Sequence, residues 1–596
     1  MKTYKILFVI LFIISFCSCE DVLEPRIENS YGDEWTWTLP SKAQGVLMNA
    51  YSDIPGQFDH YSGSNFLDVA TDNAVLNDFG SDLYTMSQGG LTAFSNPLQN
   101  WGIAYNQFRN INLFLENGLG ENIIYYLADE QIDGQFRMRL KGEAHFLRAW
   151  WGMELLKVYG GLTDDGEALG YPIITRSIGE SDKLDVESQS RNTYEECVAQ
   201  IISDLDTAIA YLPFAYTLKG DAVYSDAEVG RATQKAAFAL RSRVYTYAAS
   251  PAFQPESEES ALSVEQKWIR AALAGYTAVV EGQLGDYSAL SEKLYNDVAT
   301  TPDEFLFRKY HNNRTLELRN LPPYLLGAGR TCPSQNLVDA FPAANGYPIA
   351  REEADYDPQN PYVNRDPRLL LTVYYNGIPA EEDGRPLEIY YDVEKGKPGL
   401  DAPGYNYQNT RSGYYLRKWL SRKPEMLKVG ELQNDFHQHA LLRRAEIYFN
   451  WAEASNEAVG PEGIAPGTDR SAADIIRDIR KKTLGISTDP YLDEVVAQGK
   501  EAFRKLIQNE RRIEFAFENH RYFDMRRWKM PLNESVRGVK IEKTSDGIQF
   551  LGTNPDGELI EIEKRQYNGE KYYYSPLPYA ELIRNPHLKN NRGWNK

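Results

Sequence analysis

Cysteine is scarce in this 596-residue chain: there are four, and two of them, Cys17 and Cys19, stand at the very start. No disulfide framework and no CxxC metal site is possible with the two that remain, Cys197 and Cys332, although one long-range bridge between them stays open. Histidine is equally thin, seven residues scattered along the chain. No HExxH, Walker loop or GxSxG elbow accompanies them, so an enzyme reading finds little chemistry to stand on. Positive charge is in deficit, with a formal net charge of -20 and no basic run. Phosphate binding needs a dense basic patch, which argues against nucleic acid as a partner. Long apolar runs are missing too, apart from ILFVILFII near the N-terminus. What the chain has in excess is aromatic: 12% of residues, with 40 Tyr and 10 Trp, many beside Gly, Asn and Asp. An acidic, Tyr-rich surface suits a neutral ligand.

The apolar run follows Lys2 and Lys5 and is too brief to span a bilayer as a resident helix, but it has the length of a signal-peptide core. Residues 1–18 are expected to be removed. Cys19 follows the small Ser18 and precedes acidic residues, as at a bacterial lipoprotein cleavage site, and is expected to be the lipidated first residue. Phe16 and Cys17 depart from the usual lipobox, which leaves plain secretion with cleavage nearby as the alternative. Residues 19–40 then read as a tether and arm, with Trp35 and Trp37 alternating in an extended segment, either packed over the body or close to lipid.

Residues 41–284 read as helical. In KGEAHFLRAWWGMELLKVYGG (141–161) Ala144, Leu147, Trp151, Leu155 and Val158 recur at three- and four-residue steps, which marks a buried helix. Gly160 and Gly161 are expected to supply a left-handed stop, and Asn192-Thr193 to cap a partner helix that ends against Pro213. The same pattern returns in 234–250 with 267–282, and in 441–460 with 471–485. Three such pairs suggest a mostly α, tetratricopeptide-like scaffold. Between them, residues 285–430 are rich in Pro, Gly, Tyr and Asp, and read as an irregular, loop-rich insertion with short strands at VYYNG and YYLRKW. Residues 431–596 return to helix and end in an extended, wrapping tail.

Candidate ligand residues lie in two segments. The first holds Asp72 and Asn73 in a polar loop, then Trp101 near the start of a helix opening at Asn96-Pro97. Such carboxylates and amides bind sugar hydroxyls or turn the backbone, and such a Trp is a stacking platform or core. The second is YNYQNTRSGYY, with Tyr405, Tyr407, Arg411 and Tyr414. The expectation is that both meet on one face and hold an oligosaccharide without cleaving it. Glu510 and Glu514 fall on or beside the apolar stripe of a late helix and must be paired, with Arg511, Arg512, Arg521, Arg526 and Arg527 as the evident partners; this reads as a structural ion-pair network. No cofactor or metal site is identified.

Taken in order, KGEAHFLRAWWGMELLKVYGG, GRATQKAAFALRSRVY, PSQNLVDAFPAANGYP, NRDPRLLL, RRAEIYFNWAEASNE, NERRIEFAFENHRYFDMRRW and SPLPYAELIRNPHLKNNRGW resemble the successive signature segments of the SusD/RagB family. The resemblance implies a surface-exposed lipoprotein of a Gram-negative outer membrane that binds a glycan or other nutrient. It also implies a partner, a TonB-dependent SusC-like β-barrel over which such proteins act as a lid. A repeat scaffold that binds only proteins, and a glycan-active hydrolase, are the alternatives.

Overall fold

The structure is a computed structural model that describes residues 33–179, 188–256, 260–291, 304–379 and 384–595. The signal segment, Cys19 and most of the tether lie outside the described residues. Helices dominate: α1 Pro40–Ser52, α2 Trp101–Asn117, α3 Glu130–Tyr159, α4 Tyr194–Tyr211, α5 Gln234–Ala249, α6 Val264–Val280, α7 Arg444–Val459, α8 Ala472–Leu484, α9 Pro490–Ala497, α10 Lys500–Glu514 and α11 Arg521–Arg527. Capping boxes start α4 (Thr193 with Glu196), α6 (Ser263 with Gln266) and α8 (Ser471 with Asp474), each satisfying two backbone amides that the helix leaves unpaired.

The three expected pairs form: α3 packs on α4, α5 on α6 and α7 on α8. They also stack, α4 on α5 and α6 on α7, so the last pair continues the series despite the long insertion before it. Gly275 permits the α6–α7 approach, because a Cβ there would lie 2.7 Å from Cβ of the buried Trp451.

α3 begins earlier than its apolar pattern suggests, since Asp129 Oδ1 accepts from the amides of Gln131 and Ile132 at 2.8 and 3.0 Å. Its end is also different in kind. Gly160 is extended, with φ -61 and ψ 137, rather than left-handed. Space is what these glycines provide: a Cβ on Gly161 would lie 2.3 Å from the Tyr574 ring.

The strands are short, apart from one pair. They run β1 Ala74–Leu76, β2 Phe305–Asn313, β3 Thr331–Pro333, β4 Tyr391–Asp392, β5 Lys397–Pro398, β6 Asp435–Arg443, β7 Ser535–Gly538, β8 Lys540–Thr544, β9 Gly547–Leu551 and β10 Ile560–Lys564. β2 and β6 pair antiparallel, with His437 opposite His311, and β6 runs straight into α7. Sequence reasoning missed this pair because both strands are buried too unevenly to alternate cleanly. Phe307 of β2 meets Phe146 and Trp150 of α3 edge-on at 5.0 and 5.2 Å, which ties the insertion to the helical stack. β9, β8, β4 and β5 form one sheet, β8 and β4 parallel, so the C-terminal region adds strands to the insertion. Val373–Tyr374 pairs with Tyr415–Leu416, at the two positions where short strands are expected.

Near the N-terminus, Trp35 lies in a helical turn, Asp33–Thr36, and is largely exposed, whereas Trp37 packs against the main core. A second core, with Trp268, Trp451, Ile475 and Phe503, joins α6 to α10.

Candidate ligand-binding surface

The arginine-rich end of α10 holds the molecule together from inside. Glu510 accepts from Arg480 at 2.5 Å and from Arg368 at 2.8 Å, and Glu514 from Arg443 at 2.7 Å and Arg368 at 3.2 Å. Burial alone would raise both carboxyls; the guanidiniums outweigh it and hold them below the usual range. The partners of these two carboxylates therefore come from α8, the insertion and β6, not from the arginines that follow in sequence. Arg511 turns instead to Asp524 of α11 at 2.8 Å, a carboxylate shared with Arg527.

Asp72 belongs to the same class of contact. Arg521 and Arg512 each approach it at 2.9 Å, and Asp72 is 4% exposed. Burial opposes its charge and the two arginines restore it, well below the usual carboxylate range. Asn73 donates to Asp68 at 2.9 Å and accepts from Arg512 at 2.8 Å. These two residues anchor the loop before β1 onto α10 and α11, and their polar atoms are not presented to a sugar. Tyr414 is likewise core, fully buried with its hydroxyl on Gln335 at 2.5 Å.

Tyr405 and Tyr407 of the second segment face outward, whereas the Arg411 side chain is turned inward. Tyr405 is 50% and Tyr407 86% exposed, on a loop that closes on itself. Asn409 Nδ2 donates to the carbonyls of Leu400 and Ala402, both at 2.9 Å, while the Tyr415 hydroxyl accepts from the Thr410 amide at 3.0 Å and donates to the Asp401 carbonyl at 2.8 Å. The first segment does meet this loop. Asn77 Nδ2 reaches the carbonyls of Ala328, Gly329 and Gln408 within 3.0 Å, and Arg411 donates to the Leu76 carbonyl and to Glu563, both at 2.7 Å. Arg411 also lies 4.6 Å over the ring of Phe79, which is 57% exposed and edge-on to Tyr84. Phe79 was not among the expected ligand residues; its signal is a lone aromatic between Asp78 and Gly80 in a polar loop, which core packing does not require. The result is an outward arc of three exposed aromatic side chains, Phe79, Tyr405 and Tyr407, on joined backbone, with the Arg411 guanidinium against the Phe79 ring and paired with Glu563.

Trp101 does not join that arc. It opens α2 itself, four residues after the expected Pro97, because Asn96 forms a tight turn by accepting from the Leu98 amide at 3.0 Å. Its ring is tilted on Tyr105 and edge-on to Tyr159, and it borders a cavity of about 370 Å³ whose walls come from α2, residues 172–178 and residues 581–588.

Cys197 and Cys332 are both buried and free, so the open bridge does not form. The Cys197 thiol accepts from the Tyr171 amide at 3.4 Å, and burial pushes it up to about 12. Among the described residues no group of three or more His, Cys, Asp or Glu is placed to hold a metal ion, and no helix is long and apolar enough to cross a membrane.

Two family models match the chain in succession. Residues 33–246 match a family described as starch-binding and associating with the outer membrane, and residues 298–594 match the SusD family. A SusD-like protein of Formosa agariphila is 21% identical over 99% of this chain and 98% of its own length. Among solved structures, a SusD-like protein of Bacteroides fragilis is similar with a TM-score of 0.68 at 23% identity, covering 96% of this chain and 100% of that one. A SusD-like carbohydrate-binding protein of the same species gives a TM-score of 0.66 at 20% identity, covering 93% and 99%. With these two models covering residues 33–246 and 298–594, the chain belongs to the SusD/RagB family.

Proposed function

We propose that this protein binds an oligosaccharide without cleaving it and delivers it to a TonB-dependent SusC-like barrel, while Cys19 holds it to the outer membrane by lipid. The observation that carries the binding step is the arc of Phe79, Tyr405 and Tyr407 with Arg411. Flat aromatic faces cover the apolar side of a sugar ring, and a planar guanidinium donates to adjacent hydroxyls. The arc sits on backbone held by buried side-chain hydrogen bonds, so little ordering cost opposes binding. The carbohydrate-binding relative from Bacteroides fragilis supports the ligand class, and the outer-membrane description of the matching family supports the location.

The absence of catalysis is supported by where the acid–base groups lie. His60, His439, His520 and Glu154 gather around a small pocket of about 70 Å³, too little space for a sugar ring. A glycan array followed by calorimetry on the chain from residue 20 onward tests the reading. Tyr407→Ala and Phe79→Ala are each expected to weaken the identified glycan by about 1 to 3 kcal/mol with an unchanged melting curve. Full affinity in both would move the site elsewhere, and released products would replace binding with hydrolysis.

A further inference from the structure

The segment 401–411, which carries Tyr405 and Tyr407, is built in the same way at both ends. At its far end the Arg411 guanidinium lies 4.6 Å over the Phe79 ring and is held by Glu563 at 2.7 Å. At its start the Arg385 guanidinium lies 3.4 Å over the Tyr324 ring and is held at 2.9 Å by Asp401, which is fully buried. Asp401 is itself fixed: its carboxylate accepts from the Glu388 amide at 2.9 Å and its carbonyl from the Tyr415 hydroxyl at 2.8 Å. A planar guanidinium braces an aromatic ring on one face. Both rings remain open beyond that contact, Phe79 at 57% and Tyr324 at 47% exposure.

The loop that bears Tyr324 abuts the arc. Asn77, two residues before Phe79, ties the carbonyls of Ala328 and Gly329 to that of Gln408, and a Cβ on Gly329 would lie 2.6 Å from the Gln408 carbonyl oxygen. Between Tyr324 and these contacts, Leu326 is held left-handed at φ 66, its amide on the Pro323 carbonyl at 3.0 Å, and it is half exposed. That backbone is costly for leucine, and half a leucine in solvent returns little to the core, a combination that belongs to ligand contacts. Each guanidinium already has its carboxylate, so neither end holds a spare charge for an acidic sugar.

Resting on the oligosaccharide-binding reading above, we propose that the ligand surface continues past the arc to Tyr324 and Leu326, and that it selects neutral glycan chains of more than two units lying along segment 401–411 from Phe79 to Tyr324. The probes are maltohexaose, cellohexaose and laminarihexaose with maltose, cellobiose and laminaribiose, titrated by calorimetry into the chain from residue 20 onward. A hexaose is expected to bind at least about tenfold more tightly than the disaccharide of its own linkage, more than the extra registers of a longer chain supply. Tyr324→Ala is expected to weaken that hexaose about tenfold with an unchanged melting curve, and Tyr324→Phe, which keeps the ring, to retain wild-type affinity. A hexaose that binds no more tightly than its disaccharide, or one that loses affinity in Tyr407→Ala but not in Tyr324→Ala, would overturn the extension and leave the arc standing. Failure of wild type to bind any of the six sugars would overturn the oligosaccharide reading for these neutral chains and this inference with it.

Discussion

Many buried charges of this protein meet a defined counter-charge, which makes single residues consequential. Removing Glu510 strips Arg368 and Arg480 of a carboxylate that each of them meets within 2.8 Å in a fully buried setting. Glu510→Ala is therefore expected to destabilise the fold by about 3 to 5 kcal/mol while leaving the glycan affinity of the folded fraction unchanged. Denaturant melts together with calorimetry check this; a wild-type melt with lost binding would make Glu510 a ligand residue. His439 offers a pH counterpart. It is buried against Phe58, with Nδ1 on the Pro55 carbonyl at 2.8 Å, and burial holds its pKa well below 6.5. As pH falls below 6.5 the unfolded chain takes up a proton that folded His439 does not, so this residue withdraws stability at up to about 1.4 kcal/mol per pH unit. The His439→Gln protein is expected to lose less stability than wild type between pH 7 and pH 5, relative to its own value at pH 7. Parallel stability curves would place the proton uptake elsewhere.

Between elements, contact distance matters more than propensity. Two helical glycines of similar intrinsic cost behave as opposites. A Cβ on Gly45 of α1 meets nothing within 4 Å, whereas one on Gly275 of α6 lies 2.7 Å from Trp451 of α7. Gly45→Ala is expected to stabilise by up to about 1 kcal/mol through helix propensity. Gly275→Ala is expected to cost about 1 to 3 kcal/mol, because α6 and α7 must part to admit the methyl group. Equal shifts in melting temperature would mean that α6 and α7 do not approach as closely as described.

For the molecule as a whole, location follows from the proposed lipid. Each buried methylene contributes about 0.8 kcal/mol, so the two or three acyl chains of a bacterial lipoprotein make a durable anchor where one chain is marginal. Cys19→Ala is expected to move the protein out of the outer-membrane fraction on cell fractionation. An alanine variant that sediments with that membrane as wild type does would reject lipidation at this position.

The sequence by itself determined what depends on near neighbours along the chain. Apolar residues at helical spacing and the cap at Thr193 marked the helical pairs, since helix formation and capping act within a few residues, whereas the caps at Ser263 and Ser471 came into view with the structure. The need to pair Glu510 and Glu514 was equally legible, because burying a charge is costly wherever its partner comes from. The identity of the partners was not: Arg368 and Arg443 reach α10 from 142 and 71 residues away. Exposure was decided in the same way. Tyr405, Tyr407 and Tyr414 are one residue type in one short stretch, yet the first two face solvent and the third is closed off by Gln335 and Tyr362. Asp72 and Trp101 were plausible ligand residues until α10 and α11 claimed the one and the C-terminal segment walled in the other. Local chemistry specifies which groups a ligand would want, but only the long-range packing of the chain decides which of them are left for it.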